Sequence, residues 1–348
     1  MEILGRFVIL LFLSVLAFAT EWWVPDDSQF DDTFTYFQKG LIKSGFEGTL
    51  ANVQLIWQFY EIGRLHNPPV SFDEIFKKYF PIEDQSDVMK VFDSWKTKNN
   101  KGYFRPLYTK FSTFDRLDIC NNPDPIREIA YMTSPRKKDN TEKLDLSRDP
   151  TMVFCVSEVK KTNFFRIPFF DDIRCPGASA IGESESQHED ATDKNELDTY
   201  VSSKMIVMEE YLLHEILHSY WMSLKVLPYN EATKGLIDDI EYNGRPVYGP
   251  QRVRQLAKSE MKSQAKYNAA NYQWFATEIY WTLRCQWKFG EPKNDDTTAV
   301  LIDAEDTCSD DMELISDTEG AENIEIDSEG KEVQVGYLKG VEEMEVNK

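Results

Sequence analysis

The chain has 348 residues, a formal net charge of −21 and five cysteines. The negative charge is concentrated at the C-terminal end. Residues 295–348 contain 18 Asp or Glu and three Lys, so their net charge of −15 (3 − 18) is most of the total of −21. Neither end of the chain has the basic patch that nucleic-acid binding requires, so composition excludes a nucleic-acid partner.

Residues 1–19 have the pattern of a signal peptide. Arg6 precedes an apolar stretch at residues 7–13, and Ala17-Phe18-Ala19 matches an A-x-A cleavage site. The apolar stretch is about half the length that a membrane span needs, although a signal anchor is the alternative interpretation. No later segment is comparably apolar, so the sequence predicts a secreted, extracellular chain that is free of the membrane after cleavage. Cysteines suit that oxidising compartment.

The folded body is predicted to be helix-rich α+β with a small sheet. In its N-terminal part, residues 20–114, apolar periodicity predicts helices over residues 50–60, 72–80 and 87–95. Strands are predicted within residues 97–118, which overlap the end of the N-terminal part, and within residues 150–170. A polar loop is predicted over residues 180–197, and helices are predicted over 250–262 and 268–287. The acidic tail, residues 291–348, is predicted to be disordered because it cannot bury enough apolar area to fold.

An apolar helical run beginning at Met205 contains the pattern HExxH, as His214-Glu215-Ile216-Leu217-His218. Histidines four residues apart lie on one helix face, so both imidazoles can bind one metal ion. Glu215 lies about 100° round the helix, where it can contact a water at the metal without being a ligand. The other two histidines, His66 and His188, lie in a helix end and a polar loop and are not expected to be ligands.

A catalytic zinc needs a third protein ligand. The extended signature HExxHxxGxxH is excluded because Trp221 and Leu224 stand where it needs Gly and His. The third ligand is therefore predicted to be a carboxylate, and Asp238 and Asp239 follow in a short segment that can fold back over the helix. Both aspartates remain candidates at this point.

The aspartate segment and a later helix carry a family resemblance. The run from HExxH through Gly235-Leu236-Ile237-Asp238-Asp239-Ile240-Glu241-Tyr242, then Tyr248-Gly249-Pro250 and Asn268-Ala269-Ala270-Asn271-Tyr272-Gln273-Trp274-Phe275-Ala276, resembles the deuterolysin-like aspzincin metallopeptidases of fungi. The resemblance implies a zincin-like catalytic domain over residues 115–290. It also implies one zinc ion per chain, held by His214, His218 and Asp239.

The same resemblance implies roles for other residues. Glu215 would be the general base and a tyrosine would hydrogen-bond the oxyanion. Both Tyr242 and Tyr248 are candidates, since the Tyr-Gly pair of the family recurs here six residues late. By resemblance Cys120 pairs with Cys155. Cys175 with Cys285 is the second expected pair, with Cys308 left as a free thiol.

The sequence therefore predicts a secreted, monomeric zinc endopeptidase that acts on protein or peptide substrates. In its mechanism zinc activates a water, Glu215 takes the proton, and that proton passes to the leaving amine. The alternative is a secreted, catalytically inactive peptidase-like binding protein that keeps the fold and can keep the zinc. An inhibitor-like or structural secreted protein without metal is the third interpretation.

Overall fold

The protein is described by a computed structural model. It describes residues 25–62, 68–95, 109–120, 129–135, 149–157, 162–177, 196–224, 226–293 and 332–334. The predicted signal peptide, His66, His188, Cys308 and nearly all of the acidic tail lie outside these residues.

Seven α-helices lie in the described residues. They are α1 (Tyr36–Ile62), α2 (Phe72–Tyr79), α3 (Gln85–Asp93), α4 (Met208–Leu217), α5 (Tyr220–Ser223), α6 (Pro250–Lys258) and α7 (Ala269–Cys285). Short 3-10 turns lie between them, of which Ser203–Met205 leads towards α4 and Lys262–Tyr267 leads into α7. Each predicted helix is present, with ends that differ by a few residues for all except α1.

Helix α1 begins 14 residues earlier than the apolar pattern indicates, at Tyr36. Its first half contains glycines, which lower helix propensity. Two of them are needed for packing, since a Cβ on Gly45 would come within 2.6 Å of Leu212 Cδ1 and one on Gly48 within 2.6 Å of Glu209 Cγ. The glycines therefore let α1 approach α4 closely, and burial between the two helices offsets the weak propensity.

A small mixed sheet packs beside the helices. Its strands are β1 (Lys110–Ser112), β2 (Ala130–Pro135), β3 (Thr151–Phe154) and β8 (Glu332–Gln334), in the order β1-β3-β2-β8. Strand β3 is central, parallel to β1 and antiparallel to β2, and β8 of the tail segment pairs antiparallel with β2. Two hairpins complete the strands: β4 (Val156–Ser157) with β5 (Thr162–Asn163), and β6 (Glu241–Tyr242) with β7 (Arg245–Pro246). The prediction of a helix-rich α+β protein with a small sheet is confirmed.

Helix α4 lies at the centre of the molecule. It packs against α1, α7 and β2 within one continuous apolar core. Nine of its ten residues are buried, and the exception is Tyr211. Because neighbouring elements hold it on several sides, α4 is a rigid support for the two histidines near its C-terminal end.

Two disulfides are present, and they are the two expected pairs. The Cα atoms are 5.3 Å apart in Cys120–Cys155 and 5.4 Å apart in Cys175–Cys285, both within the usual range for a disulfide. The second joins the end of α7 to the chain after the turn Phe170–Asp172. Of the helices in the described part of the chain, none has the combination of length and apolar character needed to cross a membrane.

A candidate metal centre of two histidines and an aspartate

The two histidines lie at the end of α4. The helix begins after Val207, whose backbone is extended, and its last helical residue is Leu217, with His218 in right-handed helical geometry as the C-terminal cap. His214 and His218 therefore stay one turn apart on the same face. Both are buried, and their rings approach edge to face. The local fold thus presents two imidazole nitrogens to one point.

Asp239 completes the cluster. Its carboxylate lies 3.3 Å from His214 Nε2 through Oδ1 and 3.3 Å from His218 Nε2 through Oδ2, and the two Nε2 atoms are 3.2 Å apart. Ligand atoms at 2.0–2.1 Å from a tetrahedral ion are separated by about 3.3–3.4 Å. The three observed separations, two of which run to different oxygens of the carboxylate, are close to the spacing of ligands around a zinc-sized ion, and one ligand atom from each residue lies within 4.8 Å of the others. This buried group could hold a metal ion.

The hydrogen bonds around the cluster leave its inward atoms available. His218 Nδ1 lies 3.2 Å from the carbonyl oxygen of Ile237, and as the donor to that oxygen it leaves the Nε2 lone pair facing the other ligands. The inward atom Asp239 Oδ1 is buried and forms no hydrogen bond with any described residue. Buried polar atoms in proteins are nearly always paired, so this arrangement fits a group whose lone pairs bind an ion.

Charge holds the cluster together as well. Burial lowers the pKa of His218, but the neighbouring Asp239 carboxylate outweighs that effect and raises the pKa to about 10. Burial likewise acts to raise the pKa of Asp239, whereas the two imidazoles hold that pKa well below its ordinary range. A divalent cation would displace the imidazolium proton, so metal affinity should fall as the pH falls.

Glu215 is buried next to the cluster. Its carboxylate is near enough to His218 to contribute to the raised pKa of that imidazole. It is the neighbour of His214 on α4 and projects in a different direction from the two histidines. Its position is that of a group beside the metal ligands and not among them.

The aspartate segment contributes one tyrosine to the cluster. The hydroxyl of Tyr248 donates to Asp239 Oδ2 at 2.9 Å, and its ring centroid lies 6.2 Å from that of His214. Tyr242 lies in strand β6, where its backbone carbonyl accepts a hydrogen bond from Arg252, and its ring packs at the edge of the core. Tyr248 is therefore the tyrosine that touches the candidate ligands.

Asp238 has a different role from its neighbour. Its carboxylate accepts the backbone N–H of Asp239 at 2.9 Å, and its own backbone bonds to Tyr267 and Ala269 at the start of α7. Of the two aspartates left open by the sequence, Asp239 is the one in the buried group.

Other buried polar residues on the elements that carry the cluster were not predicted from the sequence. Asn268 lies beneath the aspartate segment, and Glu209 and Glu210 lie in the first turn of α4. Two adjacent glutamates inside an apolar helical run are a signal that could have been recognised, because charged residues are rarely buried without a reason. Asn268 gave no comparable signal, since its contacts come from segments distant in sequence.

Comparison of the chain with protein-family models, with curated proteins and with solved structures returned no match.

Proposed function

We propose that this chain is a secreted, zinc-dependent endopeptidase with a zincin-like catalytic domain. The observation that carries the proposal is the buried group of His214, His218 and Asp239, whose imidazole nitrogens and carboxylate oxygens approach to 3.2–3.3 Å, close to the ligand spacing around a zinc ion. Two imidazoles and one carboxylate form a donor set that suits zinc, whereas calcium and magnesium prefer oxygen ligands alone.

The site residues divide the chemistry between them. Bound zinc would supply a Lewis acid that polarises a carbonyl and makes water a better nucleophile. Glu215 would take a proton from the attacking water on its carboxylate and return it to the leaving amine. Tyr248, whose hydroxyl lies at the cluster, would turn its O–H from Asp239 Oδ2 to donate a hydrogen bond to the oxygen on which charge develops.

The remaining features are consistent with a secreted enzyme. The pattern of a signal peptide at residues 1–19 and two disulfides both suit an oxidising compartment. We propose that the enzyme acts as a monomer on proteins or peptides. The competing hypothesis is an inactive binding protein that retains the fold and the metal.

The test combines metal analysis with a hydrolysis assay on an unfolded protein substrate. We expect about one zinc per chain in the purified protein, as a three-ligand site requires. Glu215→Gln should keep the zinc and lose at least about 100-fold in rate, because a general base contributes about 10²- to 10⁴-fold.

Glu209→Gln is the matched control, since it makes the same change to a buried glutamate of α4 outside the cluster. It should hydrolyse at the wild-type rate. Zinc binding without any turnover would favour the binding protein, and a fully active Glu215→Gln would overturn the proposed mechanism.

A further inference from the structure

The hairpin that carries Asp239 and Tyr248 has a narrow base. We call residues 238–248 the ligand hairpin. Its strands β6 and β7 are joined by Asn243 and Gly244, both at positive φ, as a tight two-residue turn requires. Below the strands the N–H of Val247 donates to the carbonyl of Ile240 at 2.8 Å. Asp239 directly precedes Ile240 in the chain, and Tyr248 directly follows Val247.

The side chain of Asn268 bonds to both sides of that base. Its Oδ1 accepts the N–H of Ile240 at 2.9 Å, and its Nδ2 donates to the carbonyl of Val247 at 3.3 Å. Asn268 is fully buried, with 0% of its surface exposed, so neither group can exchange its partner for water. One amide therefore fixes the two residues that flank the metal ligand and its tyrosine.

The scaffold holds Asn268 in turn. Its Nδ2 also donates to Asn271 Oδ1 at 2.6 Å, and Asn271 Nδ2 donates to the carbonyls of Tyr79 and Val253 at 2.6 and 3.2 Å. These bonds tie the first turn of α7 to α2 and α6. The clamp on the ligand hairpin is thus anchored in the core and does not depend on the exposed turn.

We propose that Asn268 is a positioning residue for the metal site, which sets the separation between the Asp239 carboxylate and the Tyr248 hydroxyl. This inference rests on the proposed function, since it assigns Asn268 to the same site. Groups that orient metal ligands through hydrogen bonds typically change metal affinity by about 10- to 100-fold when they are removed.

Asn268→Asp and Asn271→Asp form a matched pair for the test. In each variant the acceptor oxygen is kept and the donor nitrogen is lost, at a fully buried position at the start of α7, where Asn268 is the N-cap and Asn271 lies in the first turn. Asn268→Asp loses the bonds to Val247 in the ligand hairpin and to Asn271, whereas Asn271→Asp keeps the oxygen that accepts from Asn268 and loses only bonds to the scaffold carbonyls of Tyr79 and Val253. Asn268→Ser, which adds no charge, replaces Asn268→Asp if that variant does not fold.

Two measurements on the full-length chain separate this inference from the proposed function. The first is hydrogen exchange of the metal-free protein, followed by mass spectrometry of peptides covering residues 238–248. We expect faster exchange in this hairpin for the Asn268 variant than for Asn271→Asp. Equal exchange in the two variants would overturn the clamp, whatever the metal does.

The second measurement is the Kd for zinc by competition with a chromophoric chelator. We expect it to rise about 10- to 100-fold in the Asn268 variant and less than about twofold in Asn271→Asp. Equal zinc affinities in the two variants would overturn the positioning role. A wild-type chain that binds no zinc would overturn the proposed function, while the exchange data would still decide whether Asn268 holds the hairpin.

Discussion

The His214–His218–Asp239 cluster and the cluster formed by Tyr79, Arg254 and Glu278 are both buried and both contain charges, but their polar atoms are used differently. Glu278 is 1% exposed and its two oxygens accept from Arg254 at 2.6 Å, Tyr79 at 2.5 Å and Lys78 at 2.5 Å. The histidine cluster instead brings two imidazole Nε2 atoms and the Asp239 carboxylate to within 3.3 Å of one another, and Asp239 Oδ1 has no hydrogen bond to any described residue.

The difference separates a structural ion cluster from a binding site. Full pairing of donors with acceptors satisfies a buried charge and joins α2, α6 and α7, but it leaves no lone pair for a ligand. Converging lone pairs without enough donors are costly in the folded state unless an ion or a proton joins them. The following experiments test this contrast, starting with the largest expected effect.

Removing the acceptor of the ion cluster should affect stability and nothing else. Glu278→Ala removes the buried counter-charge of Arg254 and leaves it only the exposed carboxylate of Glu291, and breaking a buried pair costs about 3–5 kcal/mol. Urea denaturation should show that loss in the free energy of unfolding. The zinc Kd of the folded variant should match the wild type, and a large change in zinc affinity would mean that the two clusters are not independent.

Metal removal should destabilise the protein only through the histidine cluster. At a free zinc concentration of 1,000 times Kd, binding adds about 4.1 kcal/mol to the stability of the folded state. A chelator should therefore lower the Tm of the wild type. Asp239→Ala should show no response to zinc or chelator, and a response equal to that of the wild type would remove Asp239 from the ligand set.

The pH dependence of stability should reveal a third kind of buried charge. Burial raises the pKa of Glu209 from 4.5 to about 8. Its carboxylate accepts a hydrogen bond from the backbone N–H of Phe170. A raised folded-state pKa means that the folded protein holds the proton more tightly. Stability from this group is therefore complete below about pH 4.5 and is lost as the pH rises towards 8.

Glu209→Gln should remove that dependence. We expect the variant to be more stable than the wild type at pH 8 by several kcal/mol, with the difference shrinking towards pH 4.5. Thermal denaturation over pH 4–9 measures it, and zinc content serves as the control for an intact site. Parallel curves for the two proteins would show that Glu209 is not the titrating group.

The smallest effect should separate the two tyrosines. Tyr248→Phe removes the hydroxyl that donates to Asp239 and should weaken zinc binding about tenfold, or about 1.4 kcal/mol. Tyr242→Phe makes the same change three positions beyond Asp239, at a ring that packs on the core edge, and should leave the Kd unchanged. Equal effects of the two changes would contradict the contact between Tyr248 and the cluster.

Some of this architecture follows from local sequence. The spacing of His214 and His218 on an apolar helix brings two imidazoles to one face wherever that helix packs, because helical periodicity is a local property. Strong apolar periodicity likewise predicted α2 and most of α7. Residues 36–49 were missed because glycines weaken the helical pattern, and their purpose becomes apparent only when α4 lies against them.

The sequence by itself thus determined the histidine pair, the neighbouring glutamate and the region in which the carboxylate ligand would be found. Tertiary structure decided that Asp239 and not Asp238 faces the histidines, that Tyr248 touches the cluster, and that Asn268 holds the hairpin between them. These choices depend on backbone hydrogen bonds between segments about 20–30 residues apart, and on how much water each group loses on burial. Neither quantity is contained in the local pattern of residues, so they emerge only when the segments have packed.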